Sequence, residues 1–254
     1  MNEMDIKNVY MNYHSPTGVT EALTDISFSL EEGEFISIVG PSGCGKSTLL
    51  NILCGLIQPS RGDILLEGEL ITGPNEKIGY MFQKDQLFEW LTVWENVILG
   101  LKIKKKLNEK SKKKIDELLT NYGLHEFKNH KPSELSGGMR QRVALIRTLA
   151  LDPHILLLDE PFSALDYQSR LMVSDEIYNI IKKENKTAIM VTHDISEAVS
   201  VSSKIVVLSK RPAYLKDVIK IDIDSEYSSP LKRRESPAFR EYFNRIWKEL
   251  DLNE

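Results

Sequence analysis

Residues 34–53 read EFISIVGPSGCGKSTLLNIL. An apolar strand at 35–39 leads into Gly40-x-x-x-x-Gly45-Lys46-Ser47, and a helix-compatible run at 48–56 follows. Strand, glycine-rich turn and helix, in that order, form the context in which this short pattern becomes a phosphate-binding loop. Glycines at 40, 43 and 45 let the backbone curl until its N–H groups point inward at phosphate oxygens. The following helix adds the positive end of its dipole. Lys46 is then within reach of the β- and γ-phosphates of a nucleoside triphosphate, and the Ser47 hydroxyl is a Mg²⁺ ligand. Pro41, Ser42, Cys44 and Thr48 complete the loop that wraps the phosphates. Cys44 lies beside a helix N-terminus, where a thiolate is favoured; the alternative is a buried, inert thiol.

Further along, HILLLDEP carries an apolar strand at 155–158 with Asp159 and Glu160 just past it. In open parallel sheets ligands sit outside the carboxyl ends of the strands. Alone, an Asp-Glu pair there is an ordinary cap or solvated loop. Paired with a phosphate loop at the same sheet edge, Asp159 is assigned to Mg²⁺ and Glu160 to deprotonation of the attacking water. The next strand, AIMVT, ends in His193-Asp194. His193 is either structural or a hydrogen-bond donor to the γ-phosphate. Residues 135–142, LSGGMRQR, open a helix running to about residue 150, with Ser136 as N-cap. Gly137 and Gly138 leave backbone N–H groups uncovered, which makes a second anion-binding helix end or a plain cap.

The rest of the chain supplies a frame for these groups. Ile26, Phe28 and Leu30 alternate with serines, as in a half-buried strand, and residues 64–66 and 78–82 are further short strands. The lysine-rich stretch 102–119 reads as one helix whose apolar face is Ile115, Leu118 and Leu119. Its lysines form a solvated face, or else a contact with acidic lipid headgroups or an acidic partner. Apolar runs without alternation at 155–158, 188–191 and 205–208 imply strands buried on both faces of a helix-covered parallel sheet. An amphipathic helix closes the chain, started by Ser236 and Pro237 and lined by Phe239, Phe243, Ile246 and Leu250.

Taken together, GPSGCGKST, LSGGMRQR, ILLLDEP, SALD and VTHD stand in the order and spacing of the ATP-binding-cassette (ABC) ATPases, and the chain resembles that family from about residue 6 to residue 209. The resemblance implies an α/β fold, a P-loop NTPase of ABC type. It has a mostly parallel core sheet flanked by helices, an N-terminal antiparallel β-subdomain and an inserted α-helical subdomain. Residues 1–254 would then form a single ABC ATPase domain, with the helical subdomain at about 84–134 and a C-terminal extension at about 210–254. ATP and Mg²⁺ are the implied cofactors. Gln83, in YMFQKD, matches the glutamine that contacts Mg²⁺ and senses the γ-phosphate. Tyr13 matches the aromatic that stacks on adenine, although Tyr10 lies close by. Asp166, in SALD, matches a loop crossing a dimer interface.

The same resemblance implies a head-to-tail dimer, each ATP held between one chain's phosphate loop and the other chain's Ser136, Gly137 and Gly138. Integral membrane permease subunits would be partners, with a solute-binding protein engaged indirectly, and the chain would sit peripherally on the cytoplasmic face of the membrane. Phe88, Trp90, Leu91, Val93 and Trp94, in DQLFEWLTVWENV, are either core or permease contact. FEWLTVWENV, EPFSALD and SKRPAYL look like the importer group that handles nitrate, sulfonates, taurine and similar small solutes; Ser163 stands where that group leads us to expect glycine. An exporter ATPase and a soluble, non-transport ABC ATPase are the other readings.

Composition narrows the field further. The 33 Lys+Arg against 37 Asp+Glu leave a net charge of −4, so there is no basic footprint for nucleic acid. No apolar run approaches the roughly 18–20 residues of a bilayer helix. The opening MNEMDIKNVY lacks the pattern of a secretory signal. Cys44 and Cys54 have no second pair to complete a metal site and are expected as reduced thiols.

Overall fold

Each apolar run forms the strand expected of it. In the computed structural model, which describes residues 2–16 and 18–251, β3 (Phe35–Val39), β7 (Ile155–Asp159), β8 (Thr187–Thr192) and β9 (Lys204–Leu208) form the middle of a six-stranded sheet. Its order is β10-β9-β3-β8-β7-β6, with β6 at Ile78–Met81 and β10 at Leu215–Lys220. All neighbours are parallel except β10, which runs antiparallel to β9. A second, antiparallel sheet has the order β2-β1-β4-β5, from β1 (Asn2–Ser15), β2 (Gly18–Glu31), β4 (Arg61–Leu66) and β5 (Glu69–Leu70).

The unbroken apolar strands exist because the core sheet is covered on both faces. On β7, Leu156 and Leu158 pack with helices α2 (Val93–Ile103), α3 (Glu109–Asn121), α4 (Gly137–Leu149) and α5 (Tyr167–Lys183). Ile155 and Leu157, one residue out of phase, join the opposite layer with α1 (Lys46–Leu53) and Met4, Ile6, Ile26 and Leu30 of the antiparallel sheet. A period of two with apolar residues at both phases is the signature of a strand buried on two sides.

Helices α2 to α4 and two short 3₁₀ turns lie between β6 and β7. The single helix read at 102–119 is two helices. Lys104 ends α2, Lys105 takes φ 54°, and Asn108 starts α3 by exchanging hydrogen bonds with Ser111. Lysine propensity alone did not reveal that local cap. The lysines are partly paired on the surface, Lys104 and Lys106 with Glu76 and Lys114 with Asp152. Two smaller boundaries also shift. Phe82 lies beyond β6 and is exposed, and α1 stops at Leu53 because Gly55 turns the chain at φ 75°.

The closing helix α8 (Pro237–Asp251) lays Phe239, Phe243, Ile246 and Leu250 on a third apolar cluster with Val39, Ile205 and Val207 and with α6 (Ile195–Val201). Ile246 is fully buried there. Truncating it should cost about 2–5 kcal/mol. Ile246→Ala is therefore expected to lower Tm by roughly 5–15 °C, whereas Lys248→Ala, on the exposed side, should change stability by no more than about 0.5 kcal/mol. Thermal melts of the two variants check this.

Candidate nucleotide site

Three adjacent strands deliver the candidate groups to one edge. Val39 is in register with Thr192, and Asp159 with Val191, so β3, β8 and β7 end side by side. The phosphate loop leaves the end of β3, His193 follows β8, and Asp159 and Glu160 terminate β7. Gly43 and Gly45 adopt φ 72° and 127°, which non-glycine residues avoid. At Gly45 a Cβ would also stand 2.9 Å from Leu23 Cδ2.

Lys46 is buried, and its ammonium donates to the carbonyls of Gly40 at 2.8 Å and Pro41 at 3.0 Å, folding the side chain along its own loop. Ser47 Oγ donates to Asp159 Oδ1 at 3.2 Å, and the Tyr80 hydroxyl donates to Asp159 Oδ2 at 3.2 Å. Burial raises the Asp159 carboxyl above the usual range, opposed by the Ser47 and Tyr80 bonds and reinforced by neighbouring Glu160. The Tyr80 phenol is itself pushed far up, by burial and then by Asp159. Sequence reasoning had not singled out Tyr80; its position in YMFQKD, three residues before Gln83, was the available signal.

Glu160 takes φ 43°, a left-handed conformation uncommon for a residue with a side chain, while its N–H donates to Val191 O at 2.9 Å. Its Oε2 lies 3.1 Å from His193 Nδ1 and 3.4 Å from Gln83 Nε2. Gln83 thus faces Glu160, and also Ser163 Oγ at 3.4 Å, and makes no hydrogen bond to Ser47 or Asp159. Ser163, the residue out of pattern, donates back to the Glu160 carbonyl at 3.0 Å and so ties the loop after β7. The half-exposed Tyr13 has its hydroxyl 3.2 Å from Thr48 Oγ1, at the start of α1; Tyr10 instead accepts the Ser60 N–H through its backbone carbonyl.

Cys44 departs from the reactive-thiolate expectation. Its side chain is buried within the loop, and that burial raises the thiol despite the nearby Lys46. Burial is the larger influence and Lys46 the opposing one, the setting of the buried-thiol alternative.

The second glycine motif is packed elsewhere. Ser136 caps α4, accepting from Met139 N at 3.3 Å. A Cβ on Gly137 would meet Leu165 Cδ2 at 2.9 Å, and one on Gly138 would meet Val173 Cγ2 at 2.8 Å. Both glycines are therefore needed for close approach to α5 and the loop before it. Asp166 caps α5 through Ser169 N at 3.1 Å, and that bonding lowers its carboxyl. Among the described residues, no hydrogen bond joins residues 136–138 or Asp166 to residues 40–48. The motif's Arg140 forms a bidentate pair with Asp85 at 2.7 and 3.1 Å and reaches Glu89 at 2.7 Å. Arg147 donates to the Asp85 and Gln86 carbonyls, both at 2.7 Å. This clamp on the segment after Gln83 was missed in the sequence, where only the charge pattern of the motif hinted at it.

Beyond the clamp, the aromatic cluster divides. Val93 is core and Trp94 packs against it, whereas Phe88 and the strongly exposed Trp90 form a surface pair with centroids 5.1 Å apart.

Comparison with known proteins supplies the family. The family model described as ABC transporter matches residues 23–163. The "Uncharacterized ABC transporter ATP-binding protein YtlC" of Bacillus subtilis (strain 168) is 46% identical over 251 residues, 99% of this chain and 96% of that one. The "Aliphatic sulfonates import ATP-binding protein SsuB" of Bacillus cereus is 41% identical, covering 98% of this chain and 96% of its own. For the "Taurine import ATP-binding protein TauB" of Roseobacter denitrificans the identity is 40%, with coverage of 97% and 95%. Among solved structures, the dimeric post-hydrolysis state of the ATP-binding cassette MJ0796 bound to ADP and Pi superposes with TM-score 0.72 at 33% identity, covering 87% of this chain and all of that one. The chain belongs to the ABC transporter family as one of its ATP-binding, ATP-hydrolysing subunits.

Proposed function

We propose that this subunit energises an importer of small solutes such as sulfonates, taurine or nitrate, working as a head-to-tail dimer on the cytoplasmic face of the membrane. The observation that carries the catalytic part is the convergence of Lys46, Ser47, Asp159, Glu160 and His193 at one sheet edge. Lys46 spends two of its three donors on its own loop, leaving one for a phosphate oxygen. Ser47 and Asp159 offer converging oxygens, a hard donor set that suits Mg²⁺. When bound, the ion neutralises charge on the β- and γ-phosphates. Tyr13, anchored beside Thr48, is the better placed of the two tyrosines to stack on adenine.

Glu160 is the general base, oriented from two sides by His193 and Gln83. A carboxylate only accepts, so His193 gives its Nδ1–H to Glu160, and Nε2 donates to a phosphate oxygen only as the imidazolium. Gln83 meets the base here rather than Ser47 and Asp159, so its Mg²⁺ contact requires the side chain to swing.

The import direction and cargo class rest on the SsuB and TauB relatives, whose printed roles are sulfonate and taurine import. No described helix is long and apolar enough to cross a membrane; permease subunits supply the translocation path, with a solute-binding protein beyond them. The Phe88–Trp90 pair, on the segment clamped by Arg140, is the surface for that contact.

Three outcomes are expected. Lys46→Ala should lose ATP affinity at least tenfold, while Glu160→Gln should keep affinity and lose about 10²–10⁴-fold in turnover; nucleotide titration and phosphate release measure both, and normal turnover by Glu160→Gln removes the base. In that background ATP-Mg should hold a dimer by light scattering. Adding Ser136→Arg should abolish the dimer and leave the monomer's ATP affinity unchanged, with Tm lowered by no more than the few degrees that loss of the α4 cap costs. Finally, the tagged chain should recover a polytopic membrane protein from detergent extracts, and Phe88→Ala/Trp90→Ala should reduce that recovery without changing ATP affinity.

A further inference from the structure

At the opposite, N-terminal edge of the core sheet, three side chains from the two sheets meet. Glu3 comes from β1, Glu67 from the β4–β5 turn, and His154 immediately precedes β7. Each offers one ligand atom, and these atoms lie within 4.8 Å of one another. His154 Nδ1 is 2.9 Å from Glu67 Oε1, and Lys77 pairs with the other Glu67 oxygen. They border a cavity of about 380 Å³ that Thr187, at the start of β8, also lines.

Glu3 is the feature that demands an explanation. It is only 8% exposed, yet its Oε2 has no hydrogen-bond partner. The Thr187 hydroxyl serves the carboxyl, and the nearby Lys186 is directed instead to Asp152 at 3.0 Å. A buried carboxylate oxygen without a donor is costly, and such groups are stabilised by pairing or by a bound cation.

We propose that Glu3, Glu67 and His154 form a site for a divalent transition-metal ion, zinc fitting best, that clamps the antiparallel sheet to the core sheet. One imidazole and two carboxylates suit zinc, whereas Mg²⁺ and Ca²⁺ take oxygen ligands alone. Ligands about 2.1 Å from tetrahedral zinc stand roughly 3.4 Å apart. The wider separations must therefore close by up to about 1.4 Å, and the 2.9 Å His154–Glu67 pair must open by about 0.5 Å. Glu67 and His154, both substantially exposed, are free to turn from each other toward the ion, and water fills the fourth position. Two carboxylates and a neutral imidazole balance the charge of the ion, and Lys77 keeps its pair with the second Glu67 oxygen.

The test uses the full chain without a histidine tag, stripped with chelator and titrated with zinc chloride in the absence of nucleotide. One zinc per chain is expected, with a Tm rise of about 5–10 °C at a hundredfold excess over Kd. His154→Gln and Glu3→Gln should each lose at least tenfold in affinity and lose the Tm rise, and Asp159→Asn should keep both. Cobalt in place of zinc should give visible ligand-field absorption that His154→Gln abolishes. A metal-free melt establishes that each variant is folded; should Glu3→Gln fail to fold, the solvent-accessible His154→Gln decides alone. An unchanged wild-type Tm, equal zinc binding by His154→Gln, or loss of binding in Asp159→Asn overturns the proposal, the last by placing the ion at the nucleotide edge. None of these readouts depends on transport or on the dimer, so they stand apart from the proposed function.

Discussion

Parallel pairing of β3, β8 and β7 puts Val39 beside Thr192 and Val191 beside Asp159, and the polar groups at the nucleotide edge depend on that alignment. A one-residue slip would send each strand's side chains to the wrong face and move Asp159 away from Ser47. The register is protected by burial on two sides, since Leu156 and Leu157 of β7 belong to different apolar clusters. Stability of the core and geometry of the site are thus one constraint. The residues that fix it, apolar and fully buried, touch no ligand themselves.

Where the strands end, the chain leaves the sheet under local tension. Gly45 holds φ 127° and Glu160 holds φ 43°, conformations tolerated because surrounding bonds over-determine them. At Glu160 those bonds are its N–H to Val191 and the Ser163 hydroxyl on its carbonyl. Serine at 163, although outside the expected pattern, therefore has a physical role here. It anchors the turn that carries Glu160 and also lies 3.4 Å from Gln83 Nε2.

Much of this could be read from the residues because the decisive signals are local. A glycine-rich turn between an apolar strand and a helix needs no long-range information, and apolar runs without alternation state their own burial. What escaped reading was one local cap hidden in a uniform run, together with contacts distant in sequence. The break between α2 and α3 rests on an Asn108–Ser111 cap inside a run that lysine propensity makes uniformly helical. Cys44 sits at a helix start that favours thiolate, but desolvation depends on how tightly the loop packs on Leu208 and its neighbours. Tyr80 on Asp159 joins residues 79 apart, and Arg140 on Asp85 joins residues 55 apart.

That last pair gives the two glycine motifs a mechanical relation. Arg140 is one turn into the helix that Ser136 caps, and it grips Asp85, two residues after the Gln83 that reaches Glu160. Arg147, two turns further along α4, holds the backbone of the same segment. Charge-assisted bidentate bonds of this kind are short and directional. A displacement of Gln83 is therefore resisted unless α4 and its Ser136 cap move with it. In the proposed dimer that cap faces the partner's nucleotide, and the exposed Phe88 and Trp90 lie on the clamped segment itself. On the function proposed above, Arg140 and Arg147 would join Gln83, the Ser136 cap and the Phe88–Trp90 pair in one connected segment.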